Sequence, residues 1–575
     1  MVRTIAALML AALDAGVTAQ MPTPPVRSSA PAQPPGVPAA KAAAQPTAPA
    51  SNALVFAPLP EAQAAMKAHV LFLASDAMRG REAGSPEYDI AAQYVAAQFY
   101  AAGLKPAGDD GGYLQQVPLV TYKAAGEGVF AWTPRGGTAQ RLAFGVDYVP
   151  AADPAKAETQ VSAPIVFVGY GIQAPQYGQD DYRDVDVRGK IVAFAGGAPA
   201  RFGGEERAFF GSAKTKMEIA AARGAVATIS IASPKTLPAA VTRMAEGYQA
   251  PKTAWAKPDG TGNAEAAIPS LGTLSPAGAA KLFGGSWAAI VAEAAKDAPV
   301  FRSMALAGSL SAATKTVFAH AHSSNVVGMI PGSDPKIGHE VIVLSAHLDH
   351  IGVSAPKASG GEGDRINNGA LDDAVGIASL IEEAKRFKAS GVAPKRSIMF
   401  LAVTAEEKGL IGSDYFAEHP TVPLKDIVAD VNLDMPILFY AFQDMVAFGA
   451  ERSTLGPIVR RAAAAVGVGL AADPIPEQGI FVRSDHFRFV QKGVPSVFLW
   501  PGPANGGKAA TEAFLGGCYH KPCDDVSQPI LWDQGVRFVD INYRIAREIA
   551  DGAERPVWNK GDYFGTLYKG PMASK

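Results

Sequence analysis

Residues 341–434 repeat one pattern: an apolar run that ends in ionisable residues. The blocks read VIVLSAHLDH, NNGALDDAVG, SIMFLAVTAEEKG and IVADVNLD. The runs over 341–346 and 397–404 are too short and too β-branched for helices and predict buried strands. Helices are expected over 374–388 and 409–418. Strands alternating with helices imply an α/β fold with a mostly parallel central sheet flanked by helices. Such sheets bind ligands beyond the carboxyl ends of their strands. His347, Asp349, Glu406, Glu407 and Asp434 fall at those ends, which outlines a metal site.

A chain of 575 residues exceeds one ordinary domain. Its net charge of −2 gives no reason to expect nucleic acid or an anionic membrane as partner. No run approaches the roughly 20 apolar residues that span a bilayer. Residues 1–19 carry Arg3, a short apolar core and a small-residue cleavage site, and are expected to be a signal peptide. Export to the periplasm or the medium follows. Residues 20–53 are rich in proline and alanine and are expected to form a disordered linker. Helices are expected over 59–75 and 86–102, with Arg79, Arg81 and Glu82 as loop-fixing ion pairs between them. From about residue 122 to 310, short β-type runs dominate, and an inserted β-rich module is expected. The tail after Pro556 reads as a surface extension.

Each charged block has a bland and a chemical reading. His347 and Asp349 are two apart, so on a continuous strand both face one way. Alternatively, Asp349 begins the loop and supports the far nitrogen of His347. Asp372 and Asp373 are either helix caps or acids able to bridge two cations. Glu406 and Glu407 adjoin each other at a buried strand end, where they repel unless a positive charge is near. One can then ligate while the other moves a proton. Asp434 closes another buried strand, and His520 is the best-placed late histidine. His350 and His486 lie near the site in sequence but are not counted as ligands. The two cysteines, Cys518 and Cys523, bracket His520 and could form a loop, stay free or bind metal. Two histidines and three carboxylates suit a pair of divalent cations, zinc first. Such a pair favours ionisation of a bridging water and so hydrolysis of an acyl derivative, most naturally a peptide.

Together HLDH, GALDDAVG, TAEEKGLIGS, VNLDM and YHKPCD, in that order, resemble the di-zinc exopeptidase family. That family includes secreted bacterial aminopeptidases, glutamate carboxypeptidase II and, as a non-catalytic relative, the transferrin receptor ectodomain. The resemblance implies two Zn2+ ions bridged by Asp372 and a water or hydroxide. It makes His347 and Asp434 ligands of one ion, Glu407 and His520 ligands of the other. Glu406 matches the general base, Asp349 the acid supporting His347, and Tyr519 a tyrosine that stabilises the oxyanion. The middle module resembles a protease-associated domain. The expected plan is a discontinuous peptidase domain over 54–122 and 316–555, the insertion over 123–315, and a C-terminal tail over 556–575. Leu371 departs from the small or polar residue usual before the bridging aspartate. It removes no ligand.

The resemblance implies an exported zinc aminopeptidase acting on peptides. A carboxypeptidase of the glutamate carboxypeptidase II type would need cations for the substrate carboxylate, with Arg483 and Lys521 as suspects. A non-catalytic binding ectodomain would be expected to lose ligands, and a glutaminyl cyclase would use one zinc. The filled set of five ligand positions and a base argues against both.

Overall fold

The computed structural model describes residues 56–264, 266–356 and 363–574. The signal peptide and linker expected over 1–53 lie outside the described residues. Two helices come first, α1 (Glu61–Leu73) and α2 (Pro86–Ala101). At the start of α2, Pro86 needs no N–H partner, and Ser85 Oγ accepts from the N–H of Tyr88.

Strand β1 (Leu114–Ala124) leads into a β-rich segment. Its strands Val129–Pro134, Glu158–Phe167, Ile191–Ala195, Ala227–Ile231 and Ser270–Leu274 enclose a core of their own around Phe130, Trp132, Ile165, Phe167 and Leu310. Helices α3 (Gly204–Gly211) and α4 (Ala213–Ala222) belong to this segment. Strand β2 (Met304–Ile330) then runs 27 residues without a break. Near its start it pairs antiparallel with Val129–Pro134, further on with β1, and at its end with the central sheet. The expected change of domain between residues 315 and 316 therefore falls inside one continuous strand.

The central sheet follows the alternation in the sequence. It comprises β3 (Val341–His347), β4 (Ser397–Val403), β5 (Ile427–Asn432), β6 (Asp444–Phe448) and β7 (Ser496–Pro501). Strand β3 lies between β4 and β5, parallel to both, and β5 is parallel to β7. At the edges, β2 meets β4 and β6 meets β7, both antiparallel. Every position of β3, β4 and β5 is buried, as expected of strands covered on both faces. The covering helices include α5 (Val375–Ala389), α6 (Ile411–Glu418), α7 (Leu455–Ala464), α8 (Gly507–Gly517) and α9 (Trp532–Asp551).

The tail corrects one expectation. It is no surface extension: Trp558 and Phe564 are fully buried, and Trp558 Nε1 donates to the Gly493 carbonyl. Large aromatic rings gain too much from burial to stay in water when a groove is available. The tail also helps hold the β-rich segment. Arg452 pairs with Glu205 and Glu206 of α3 and with Asp562 of the tail, and it lies over the Phe481 and Phe564 rings. Helix α3 packs closely on residues 476–482. Gly479 takes φ +58, and a Cβ there would lie 2.2 Å from the Ala208 side chain, so only glycine fits.

Candidate metal centre

Three turns at the carboxyl edge of the sheet aim the site. Ala405 after β4, Met435 after Asp434, and His520 itself all take positive φ (54°, 47° and 56°). Such backbone is costly for residues with a Cβ and clusters where function demands it. The Asp372–Asp373 peptide is cis.

The chain brings His347, Asp372, Glu407, Asp434 and His520 together. His347 Nε2 lies 3.0 Å from Asp372 Oδ1 and 3.4 Å from Asp434 Oδ1. His520 Nε2 lies 3.3 Å from Asp372 Oδ2 and 3.1 Å from Glu407 Oε2. The two oxygens of Asp372 thus face two different imidazoles. His347 is almost wholly buried, whereas the His520 side chain is 38 % exposed and sits at the mouth.

His350, passed over in the sequence, belongs to the cluster. Its Nδ1 is 2.6 Å from Glu407 Oε1 and 4.0 Å from Asp372 Oδ2. Yet both His350 ring nitrogens, Glu407 Oε1 and Asp372 Oδ2 are buried without a hydrogen-bond partner among the described residues. Lone pairs that converge with no donor between them are costly, and a cation relieves that cost. Two groups of donor atoms lie close enough together to hold an ion, His347 with Asp373 and Asp434, and His350 with Asp372 and Glu407. Asp373 is the weaker member. Its oxygens already face the N–H groups of His347, Gly376 and Met435. Imidazole nitrogens and carboxylate oxygens in such a set fit zinc. Thiolates take no part, because Cys518 and Cys523 are joined in a disulfide around the loop that carries His520.

Electrostatics divides the adjacent acids. Burial pushes the Glu406 carboxyl well above its usual pKa, and Glu407, Asp485 and Asp434 push the same way against His347. Burial also acts upward on Glu407, but His350 and His520 outweigh it and hold its pKa below the ordinary value. On His347, burial opposes protonation, while hydrogen bonds to Asp372 and Asp434 drive its pKa well above normal. Asp349 sits otherwise than expected. Its backbone carbonyl, not its carboxylate, lies 3.0 Å from His347 Nδ1, and the carboxylate is 4.0 Å from that nitrogen. Tyr519 stacks on His520 with ring centroids 3.8 Å apart.

Several supporting residues gave little signal in the sequence. Arg81 is fully buried and donates to the carbonyls of Leu73, Leu348, Asn368 and Gly369. It binds carbonyl oxygens, not the carboxylate expected of a loop-fixing pair. Arg79 does pair with Glu87, and Glu82 with Lys408. Asp524 accepts from the N–H groups of Leu371 and Asp372. Asp485 accepts from Ser413 Oγ, and Ser484 Oγ donates to Asp434 Oδ2. His486 stays outside the cluster; burial lowers its pKa to about 3.

A cavity of about 200 Å³ opens on Glu406, with Met435, Ile480, Phe498, Trp500 and Leu515 in its walls. No helix among the described residues is long and apolar enough to cross a membrane.

The α/β sheet carries two groups of possible metal ligands at its carboxyl edge. Residues 325–546 match the model of Peptidase family M28, and this part of the chain is a domain of that family. Leupeptin-inactivating enzyme 1 of Streptomyces exfoliatus is 27% identical over 215 residues, 35% of this chain and 43% of that protein. The probable leucine aminopeptidase 2 of Aspergillus oryzae is 30% identical over 239 residues, 40% of this chain and 44% of that protein. The chain thus spans less than half the length of these curated relatives. An aminopeptidase from Aneurinibacillus sp. strain AM-1 aligns with 86% of this chain and 95% of its own, at 18% identity and a TM-score of 0.45.

Proposed function

We propose that the protein is an exported exopeptidase with a binuclear zinc site that removes N-terminal residues from peptides. The observation that carries this reading is Asp372, whose two oxygens face His347 on one side and His520 on the other. His347 and Asp434 would hold one ion, Glu407 and His520 the other, with His350 against the second group. When bound, the ions supply Lewis acidity and lower the pKa of water. The rest falls to the chain. Glu406 lies free of the ligand pairs, takes a proton from the attacking water at a carboxylate oxygen and returns it to the leaving amine. Tyr519 offers its hydroxyl to the developing oxyanion. Asp349 holds the Glu406 backbone and the His347 ring.

The apolar side of the cavity beside Glu406, formed by Met435, Ile480, Phe498, Trp500 and Leu515, supports an aminopeptidase over a carboxypeptidase. It suits one large apolar side chain, and its walls hold one cation, Arg483. The relatives' names, among them a probable leucine aminopeptidase, agree with that preference. The Cys518–Cys523 disulfide supports an oxidising compartment and so export. The β-rich segment, read as an inserted domain of the protease-associated kind, borders the cleft through α3 and α4.

Digestion of a mixed peptide pool, followed by mass spectrometry, tests the reading. Ladders shortened from the N-terminus, beginning with leucine, methionine and phenylalanine, are expected, and a chelator should stop them. Ladders from the C-terminus would replace it with the carboxypeptidase reading. No cleavage by zinc-loaded protein would favour a binding ectodomain.

A further inference from the structure

A second cavity, of about 380 Å³, opens on the same Glu406, Tyr519 and His520. One wall is Ala208 and Phe209 of α3, Thr215 of α4 and Ser212 between them; the other includes Leu410 and Arg488. The β-rich segment therefore builds part of the site. Beyond Glu406, Glu407, Tyr519 and His520, the ionisable groups on this lining are Lys214, Arg483 and Arg488, all cationic. Arg488 is engaged: it bonds Gln491 Oε1 and the Gly409 carbonyl and lies 3.6 Å from Asp414. Arg483 makes only long contacts, of 3.3 and 3.4 Å, to Gln478, and its side chain is exposed. Arg483 also reaches the rim of the apolar cavity.

If the apolar cavity takes the N-terminal side chain, the leaving portion must depart through the other space that shares Glu406. A volume at the small end of ligand sites holds only a short segment. We infer that this second cavity binds the leaving portion of short peptides, and that Arg483 recognises its free α-carboxylate. Guanidinium and carboxylate match as paired donors and acceptors. The preferred substrates are then di- and tripeptides with an apolar first residue. Amidated and long peptides are disfavoured. This inference rests on the aminopeptidase reading above.

The test compares kcat/KM for Leu-Ala and Leu-Ala-amide in the zinc-loaded full chain, with leucine anilide and acetyl-Leu-Ala as controls. Leu-Ala is expected to exceed its amide by about tenfold, mainly through KM. Arg483→Gln should bring that ratio close to one, and Arg483→Lys should restore part of it. Because the ratio is internal to each variant, a general loss of folded protein does not move it. A ratio near one in the wild type, or a ratio kept in Arg483→Gln, overturns the inference while anilide cleavage leaves the aminopeptidase reading standing. Cleavage of acetyl-Leu-Ala with the anilide untouched removes both.

Discussion

Asp349 Oδ1 accepts a hydrogen bond from the backbone N–H of Glu406 at 3.0 Å. The Asp349 carbonyl meanwhile faces His347 Nδ1. One residue thus fixes both a proposed ligand, His347, and the proposed base, Glu406, across the gap between β3 and β4. Residues that orient ligands typically cost 10- to 100-fold when lost. Asp349→Ala should lower kcat by about that factor, with a smaller change in KM. Asp349→Asn keeps an oxygen acceptor and should lose less. Equal losses in the two variants would show that the Glu406 contact has no part in the effect.

Burial acts upward on both Glu406 and Glu407, but His350 and His520 turn the net shift of Glu407 downward, so the two neighbours move in opposite directions. Glu406→Gln should cut turnover by between about 100- and 10,000-fold while leaving the zinc content intact. Glu407→Gln should instead lose metal. Metal analysis beside steady-state kinetics separates the two, and a Glu406→Gln protein depleted of zinc would mean the roles are reversed.

Much of this was legible because an apolar run ending in an acid carries two signals at once. The runs predicted β3 and β4, and the acids marked the sheet's carboxyl edge. Helix limits came within a few residues, as with α5, expected over 374–388 and found as Val375–Ala389. What stayed hidden depends on contacts distant in sequence. Arg81 reads as a loop cation, yet its partners include Asn368 and Gly369, far along the chain. His350 looks like a spare histidine until Glu407 is placed against it. Trp558 looks exposed in a polar tail until Gly493 is brought beneath it. The continuity of β2 was hidden for another reason. Its apolar residues alternate along part of its length and run together over 326–330, so the strand reads as two pieces.

Arg81 should matter to stability more than its place in a loop suggests. Its guanidinium satisfies four carbonyl oxygens in a fully buried setting. Removal strands those oxygens and leaves the acids near it, Asp349, Asp373, Asp524 and Asp372, without a buried counter-charge. Arg81→Met should cost about 3 kcal/mol or more. Denaturant unfolding of the wild type and variant measures it, and a change below about 1 kcal/mol would show that the cavity rearranges to compensate.

The Cys518–Cys523 bridge closes the loop that carries Tyr519 and His520, and His520 is the most exposed of the expected ligands. Replacing both cysteines with serine frees the loop and adds an ordering cost to metal binding. The ion held by Glu407 and His520 should then bind about tenfold more weakly, while the one on His347 and Asp434 changes little. Competitive chelator titration should resolve two affinities that diverge further than in the wild type. Two affinities shifted equally would indicate a general loss of structure.

Lys216 offers a pH dependence at a residue outside the proposed metal ligands. It is fully buried, and its Nζ donates to the carbonyls of Ala195 and Gly197. Burial lowers its pKa from 10.5 to about 7, against a modest upward pull from Asp181. Below pH 7 both folded and unfolded chains carry the proton, and the full cost of burying charge is present. Between about pH 7 and 10.5 the unfolded chain keeps its proton while the folded one has lost it, so this residue's contribution to stability rises with pH. The slope approaches at most about 1.4 kcal/mol per pH unit. Lys216→Met removes the titration. The difference in Tm between variant and wild type should therefore favour the variant most near pH 6.5 and shrink as pH climbs to 9.5. A difference that stays constant over that window would mean Lys216 keeps its charge when folded.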